Sequence, residues 1–414
     1  MINYLYDAYT ILNKVYSEKA YLKQAIKDTF IEEKNRSLTI KTVYGVLDKD
    51  IELSYYLKRL TEKSPKLVIR TVLKISMYAI KYLEKKEYAV IDNAVTLVKK
   101  LGKGGTAGFV NAFLRRFVKE KIPFPKNEIE YLSVKYSCPE FMVKEYLTNY
   151  GKERTERILS AQNGLNTLCF YEVDGKKYLT ERKVNYKETP FNNVFSVKNF
   201  VMDEGFERGE YTFQSIGSVA VTEVVEKGEK LLDCCSAPGG KSVRLSYKFD
   251  SVISCDIHEH RIELVKSYAK RMKRENITAL ALDSKVFNPD FKEKFDAVLV
   301  DAPCSGTGVV NDNPDIKLNR VEQDLISLTN EQIEILENVK NYVKKGGYLY
   351  YSTCSIMTRE NYSTVEKFLK KNPEFIIEKI DSKLPHEDIN GTNLFLPDIS
   401  CGVGFYVAKL KRES

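Results

Sequence analysis

The chain has 414 residues, a net charge of +8, 43% hydrophobic residues and no tryptophan. That length allows two or three domains at the usual ~100–200 residues each, with a core large enough to need neither disulfides nor metals. No apolar run reaches the ~18 residues of a membrane span, and the N-terminus lacks the apolar centre of a secretory signal, so a cytoplasmic protein is expected. The positive charge suits approach to a polyanion such as nucleic acid, without singling out that partner.

In chain order, residues 4–15, 39–60, 67–83, 89–101 and 109–118 carry apolar side chains at the spacing of amphipathic helices. Gly102, Gly104 and Gly105 separate the last two, and Pro123 and Pro125 close the segment. This predicts an all-α domain over 1–125. From 126 to 210 the pattern mixes two helical stretches, 139–150 and 153–162, with short strand-like runs near 167–173 and 194–197. A turn is expected at Asp174-Gly175. This middle segment reads as a small α+β connector domain.

From 211 to 414 apolar runs alternate with amphipathic helices. The predicted strands are 230–235, 251–256, 277–282, 295–300 and 348–352, and the helices are 241–247, 259–274, 321–343 and 361–370. Buried strands with helical crossovers mean an α/β domain built on a mainly parallel, doubly wound sheet. Such sheets bind ligands at the carboxyl ends of their strands.

At the end of the first of these strands stands Cys235-Ser236-Ala237-Pro238-Gly239-Gly240-Lys241. Small residues there allow a ligand close to the backbone at the start of a helix. The loop is neither G-x-G-x-x-G nor a Walker A sequence. The second strand ends at Asp256, about 20 residues on, where a carboxylate accepts from ribose hydroxyls. Asp283 follows the third strand, in place to accept from an adenine amino group. Together these features describe a nucleoside cofactor site.

The chain has eight cysteines: Cys138, Cys169, Cys234, Cys235, Cys255, Cys304, Cys354 and Cys401. None forms a C-x-x-C pair or stands at ligand spacing from a histidine, so no metal site is expected. Without a secretory signal no disulfide framework is expected either. Most read as small buried hydrophobes. Cys304 and Cys354 differ, because each lies just beyond a strand end in a polar loop: Asp301-Ala302-Pro303-Cys304-Ser305-Gly306-Thr307-Gly308 and Ser352-Thr353-Cys354-Ser355.

That pair suits one chemistry. C5 of cytosine is too weak a nucleophile to take a methyl group until a thiolate adds to C6 and makes C5 enamine-like. A base then removes the C5 proton and the thiolate leaves. Asp301 is placed to orient the ring through N3 and N4. Amino-group methyltransferases commonly carry Asn/Asp-Pro-Pro-Tyr after the fourth strand, where Asp-Ala-Pro-Cys stands here.

These three motifs resemble motifs I, IV and VI of the RNA 5-methylcytosine methyltransferases, the RsmB/NSUN family. Upstream, Tyr88-Ala89-Val90-Ile91-Asp92-Asn93-Ala94-Val95 and Gly108-Phe109-Val110-Asn111-Ala112-Phe113-Leu114-Arg115-Arg116 resemble its NusB-type helical domain, and Tyr136-Ser137-Cys138-Pro139-Glu140-Phe141 resembles the joining segment. The resemblance covers nearly the whole chain and points to the bacterial branch acting on 16S ribosomal RNA. It implies a NusB-like helical RNA-binding domain, a connector and a Rossmann-like domain using S-adenosyl-L-methionine, in a monomer. By motif it makes Cys354 the nucleophile and gives Cys304 a part in product release, with Asp301 and Lys241 completing the catalytic group. Cofactor contacts fall to Cys235, Ser236, Ala237, Pro238, Gly239, Gly240, Lys241, Asp256, Asp283 and Asp301.

The sequence departs from the family in three places. Across Val310-Asn311-Asp312-Asn313-Pro314-Asp315-Ile316-Lys317-Leu318 the family is usually richer in arginine and ends in tryptophan. Val403 stands where an acidic residue is common, and the match around Gln214 is loose. Transfer RNA as substrate, or a non-catalytic role in ribosome assembly, are the alternatives. His258, His260 and His386 read as structural residues, and the basic run Lys270-Arg271-Met272-Lys273-Arg274 as a solvated helix face.

Overall fold

The structure is a computed structural model that describes residues 2–161, 164–165, 167–198 and 200–413. Its contacts group the chain into two compact units. One runs to Ser160 and takes in Asn313–Arg320; the other holds Ala161–Asp312 and the chain from Val321 onward.

The first unit is helical. Its helices are Ile2–Glu18, Leu22–Lys27, Glu33–Asp48, Asp50–Leu60, Leu67–Lys81, Glu87–Lys100, Ala107–Lys119, Glu128–Tyr136 and Glu140–Ser160. The apolar stripes read from the sequence converge on one core that includes Ile11, Leu12, Val43, Leu47, Leu53, Leu73 and Leu114. The helix expected over 39–60 is two helices, because the chain leaves helical geometry at Lys49 (φ −99°, ψ 15°). Asp50, the first residue after the break, is buried and pairs with Lys74 at 2.6 Å. The two helical stretches expected at 139–150 and 153–162 are present as two helices within Glu140–Ser160, separated at Gly151, whose φ of 71° and ψ of 170° are non-helical and favour glycine. Gln162, the end of the second stretch, lies outside the described residues.

The segment Asn313–Arg320 is bound to this unit by polar contacts. Lys317 Nζ pairs with Asp48 at 2.7 Å, the Leu22 amide donates to Asp315 at 3.2 Å, and Leu318 packs on the helical core. Of the run that departs from the family's arginine-rich pattern, residues 313–318 therefore build part of the first unit, while Val310, Asn311 and Asp312 belong to the second.

The second unit contains two sheets. The smaller is antiparallel, with β1 (Thr167–Phe170), β2 (Tyr186–Glu188), β3 (Val194–Val197) and β4 (Tyr211–Phe213) in the order β2-β3-β1-β4. Its last strand lies beyond residue 210. The turn expected at Asp174-Gly175 is instead a helix start: Asp174 caps Gly175–Glu181 by accepting from the Lys177 amide at 3.0 Å.

The larger sheet comprises β5 (Gly228–Asp233), β6 (Phe249–Asp256), β7 (Ile277–Ala281), β8 (Phe295–Asp301), β9 (Val343–Thr353), β10 (Phe375–Ile377), β11 (Glu387–Ile389), β12 (Thr392–Phe395) and β13 (Phe405–Arg412). The order is β11-β12-β13-β9-β8-β5-β6-β7, with β10 also on β13. β5 to β9 pair in parallel, as the continuous apolar runs require, and Val298, Leu299 and Val300 are fully buried. The antiparallel β13 lies against β9. The sheet departs from the purely parallel pattern at this side, which the sequence reading did not resolve.

The helices Gly240–Leu245, Glu259–Arg271, Glu322–Val339 and Tyr362–Lys371 follow their expected positions. The basic run at the end of the second of these is only partly solvated, contrary to expectation. Arg271 donates to the Phe206 and Tyr211 carbonyls at 2.7 and 3.2 Å, and Arg274 to Ser246 Oγ at 2.9 Å. No helix among the described residues is long and apolar enough to cross a membrane.

Candidate active site

Strand order reverses between β5 and β8: the chain first adds β6 and β7 on one side of β5, then β8 and β9 on the other. A crevice opens above the carboxyl ends of strands at such a switch point. Here it is a cavity of about 420 Å³ lined by Cys235, Ala237, Asp256, Asp283, Asp301, Cys304 and Cys354. Five separate stretches of sequence thus meet in one space. Ser236, Pro238, Gly239, Gly240 and Lys241 do not line it; of these, Ser236 bonds to the Cys255 carbonyl and Lys241 to Asp301.

The loop after β5 is held from within. The amide and Oγ of Ser236 both donate to the Cys255 carbonyl, at 2.8 and 3.0 Å. Gly239 has φ 103°, and a Cβ there would stand 3.2 Å from the Val265 backbone. The next residue opens the helix Gly240–Leu245, whose first amides face the loop. Gln214, in the loosely matching stretch, donates to the Gly240 carbonyl at 3.3 Å and to Ser218 Oγ at 2.9 Å, so it braces this loop.

Asp256, at the end of β6, is buried and accepts from the His258 amide and from Arg261, each at 3.1 Å. Arg261 also donates to the Ala237 carbonyl at 3.1 Å, clamping the carboxylate to the loop. A carboxylate has four lone-pair sites, which leaves acceptor capacity for a ligand hydroxyl. Asp283 accepts from the Lys285 amide at 2.9 Å. Asp233, which the sequence reading passed over, is fully buried at the end of β5 and accepts from Ser242 Oγ at 2.6 Å. Burial pushes its carboxyl up to about 7, only partly offset by the bond from Ser242.

Asp301 ends β8 between two donors, Lys241 Nζ at 2.6 Å and Ser352 Oγ at 2.8 Å. Burial acts to lower the Lys241 ammonium, but the Asp301 charge and hydrogen bond outweigh it and hold the ammonium above its ordinary value, so it stays charged. The two cysteines, partly exposed to the cavity, place their sulfurs 3.3 Å apart. The hydrogen bond with Cys354, followed by burial, raises the Cys304 thiol well above its ordinary value. Cys304 is therefore the thiol that keeps its proton. Val403 is buried in the apolar cluster against which Cys354 packs, which accounts for an apolar residue at that position. Glu360, behind both cysteine loops, was not read from the sequence, nor was Arg261, and Ser352 was read only as part of its motif, without a role.

Residues 221–411 match the family described as 16S rRNA methyltransferase RsmB/F, and residues 4–119 match the NusB family. A Bacillus subtilis (strain 168) chain named "Probable ribosomal RNA small subunit methyltransferase B" is 30% identical over 97% of this chain and 96% of its own. The chain belongs to the RsmB/F family of methyltransferases. A family member from Photorhabdus laumondii, named ribosomal RNA small subunit methyltransferase B, is 27% identical over 92% of each chain. The fold alone is shared with the crystal structure of PH0851, at 22% identity and a TM-score of 0.84 over 99% of this chain and 98% of that one. The same holds for the NSun6 structure from Pyrococcus horikoshii, at 17% identity and a TM-score of 0.59 over 67% of this chain and 98% of that one. Family and fold agree with the reading from the motifs: a NusB-type helical domain precedes a Rossmann-like, S-adenosylmethionine-dependent methyltransferase domain.

Proposed function

We propose that this methyltransferase acts on C5 of a cytosine in small-subunit ribosomal RNA, with Cys354 as the attacking sulfur. The observation that carries the reading is the pair of sulfurs 3.3 Å apart at the wall of the cofactor cavity, beside a carboxylate paired with a lysine. Amino-group transfer needs no such pair.

The cavity fits the cofactor in its donor set, with a small-residue loop at one end, carboxylates at the ends of β6 and β7, and space reaching the cysteines. The loop from Cys235 to Lys241 holds the amino-acid end, Asp256 the ribose and Asp283 the adenine. When bound, S-adenosylmethionine supplies an electrophilic methyl group. The residues of the chain do the rest. Cys354 as thiolate bonds to C6, and the electron pair this pushes into the ring makes C5 nucleophilic. Asp301, held by Lys241 and Ser352, faces N3 and N4 and orients the base. After methylation a base removes the C5 proton, and the C6–S bond breaks with its electrons returning to Cys354. Cys304, against Cys354, is assigned a part in this release. A cytosine stacked in a helix has to be extruded or presented in a loop to enter.

The test is to incubate the protein with methyl-labelled S-adenosylmethionine and unmodified small-subunit RNA, with transfer RNA in parallel, and to digest the product to nucleosides. Label in 5-methylcytidine from ribosomal RNA is the expected result. Label only from transfer RNA would change the substrate and keep the chemistry. No labelled cytidine, with the cofactor bound, would leave the assembly-factor reading.

A further inference from the structure

The loops that carry the two cysteines are joined behind the cavity by one carboxylate. Glu360 is fully buried. Its Oε1 accepts from the Ser305 amide at 2.8 Å and from Gln332 Nε2 at 3.3 Å. Its Oε2 accepts from the hydroxyls of Ser305 and Ser355, each at 2.5 Å. Ser305 directly follows Cys304, and Ser355 directly follows Cys354. Gln332 also donates to the carbonyl of Pro303 at 2.9 Å, so Cys304 is gripped on both sides.

Burying a carboxylate is costly unless its lone pairs are satisfied. A site needing only packing would be served by an apolar side chain. This one spans β8 and β9 with four donors, where each added bond removes freedom from a loop that ends in a reactive sulfur. The Cys354 carbonyl in turn accepts from the Gly308 amide at 3.0 Å, and Thr307 Oγ1 meets Ser355 Oγ at 3.0 Å, so the two loops are sewn together along their length.

We propose that Glu360 is a positioning residue for the methyl transfer: through Ser305 and Ser355 it sets the register of the two loops, so that both sulfurs meet one edge of the target base. The claim rests on the cytosine-C5 reading for its chemistry and on geometry for its placement. Reach is the property that matters. Shortening the side chain by one methylene withdraws the carboxylate by about 1.5 Å and cannot bridge both hydroxyls. Replacement by glutamine keeps the reach, because each serine hydroxyl can turn to accept from the amide.

The experiment compares Glu360→Asp, which keeps charge and loses reach, with Glu360→Gln, which does the reverse. Two readouts are taken: kcat with the cofactor dissociation constant, and the rate at which diamide oxidises Cys304 and Cys354 to a disulfide in the RNA-free protein. Glu360→Asp should lower kcat by roughly 100-fold, the scale of an ångström's misplacement, with cofactor affinity unchanged and slower disulfide formation. Glu360→Gln should stay near wild type in both. Ser355→Ala, which removes one tether and leaves Glu360 bonded to Ser305, should shift both readouts in the direction of Glu360→Asp and covers the case in which that variant does not fold. Wild-type kcat and disulfide rate in Glu360→Asp, or a loss in Glu360→Gln larger than in Glu360→Asp, would overturn the proposal. If the wild type methylates no cytosine, the C5 reading fails, and the disulfide rates still decide the positioning claim.

Discussion

The sulfurs of Cys304 and Cys354 lie 3.3 Å apart although the residues are separated by 50 positions in sequence. Parallel pairing of β8 and β9 brings this about, since Asp301 stands opposite Ser352 in the register and the cysteines lie three and two residues beyond that pair. Cys304 is raised first by its hydrogen bond with Cys354 and then by burial, so it holds its proton.

Alkylation should expose that shift. In Cys354→Ala the largest cause of the raised Cys304 value is gone, so Cys304 should be alkylated at lower pH than in the wild type. Peptide mass mapping across a pH series gives the readout, and an unchanged or higher Cys304 profile in the variant would contradict the assignment.

Asp256 is the carboxylate assigned to the ribose. Asp256→Ala removes an acceptor and leaves Arg261 without its partner. A hydrogen bond to a charged group is worth about 1.5–3 kcal/mol, so cofactor affinity should fall by roughly 10- to 100-fold. Isothermal titration with S-adenosylmethionine reads this directly. Affinity equal to wild type would move the ribose elsewhere.

Asp233 gives a pH signature. Its carboxyl is pushed up to about 7 by burial, against an ordinary value of 3.8. Between these values the unfolded chain releases the proton while the native chain keeps it, so this group lowers stability as pH rises, and above about 7 the loss is complete. Asp233→Asn cannot ionise and should gain on the wild type over the same interval. The difference in melting temperature, measured without cofactor, should grow from pH 4 to 7 and then level. A difference that shrinks with rising pH would contradict the burial account.

Much of this was legible in the sequence because the informative residues sit at strand ends. Apolar runs located β5 to β9, and whatever followed each run had to meet at one edge of the sheet, which is why Asp256, Asp283, Asp301, Cys304 and Cys354 were grouped correctly. Glu360 escaped because its partners, Ser305, Gln332 and Ser355, stand 55, 28 and 5 residues away and none shows a periodic pattern. Asp233 carries no mark of its burial, since a strand-terminal aspartate is equally common in water. The helix break at Lys49 was hidden because the apolar stripe continues through it. The stretch from Val310 to Leu318 was read only as a departure from the family's pattern, and the pairing of its Lys317 with Asp48, 269 positions earlier, is a matter of tertiary packing alone. Arg271 and Arg274 read as solvated because guanidinium groups usually are, whereas here backbone carbonyls and a serine hydroxyl take them up.

The most direct measurement concerns the covalent step. Wild type, Cys354→Ala and Cys304→Ala would each be incubated with S-adenosylmethionine and unmodified small-subunit RNA, then resolved by denaturing electrophoresis and assayed for 5-methylcytidine. With Cys354 as the attacking sulfur and Cys304 serving release, Cys354→Ala gives neither adduct nor methylated cytidine, and Cys304→Ala accumulates a protein–RNA adduct that withstands denaturation. An adduct in Cys354→Ala, or full methylation without Cys354, would contradict the assignment of the nucleophile.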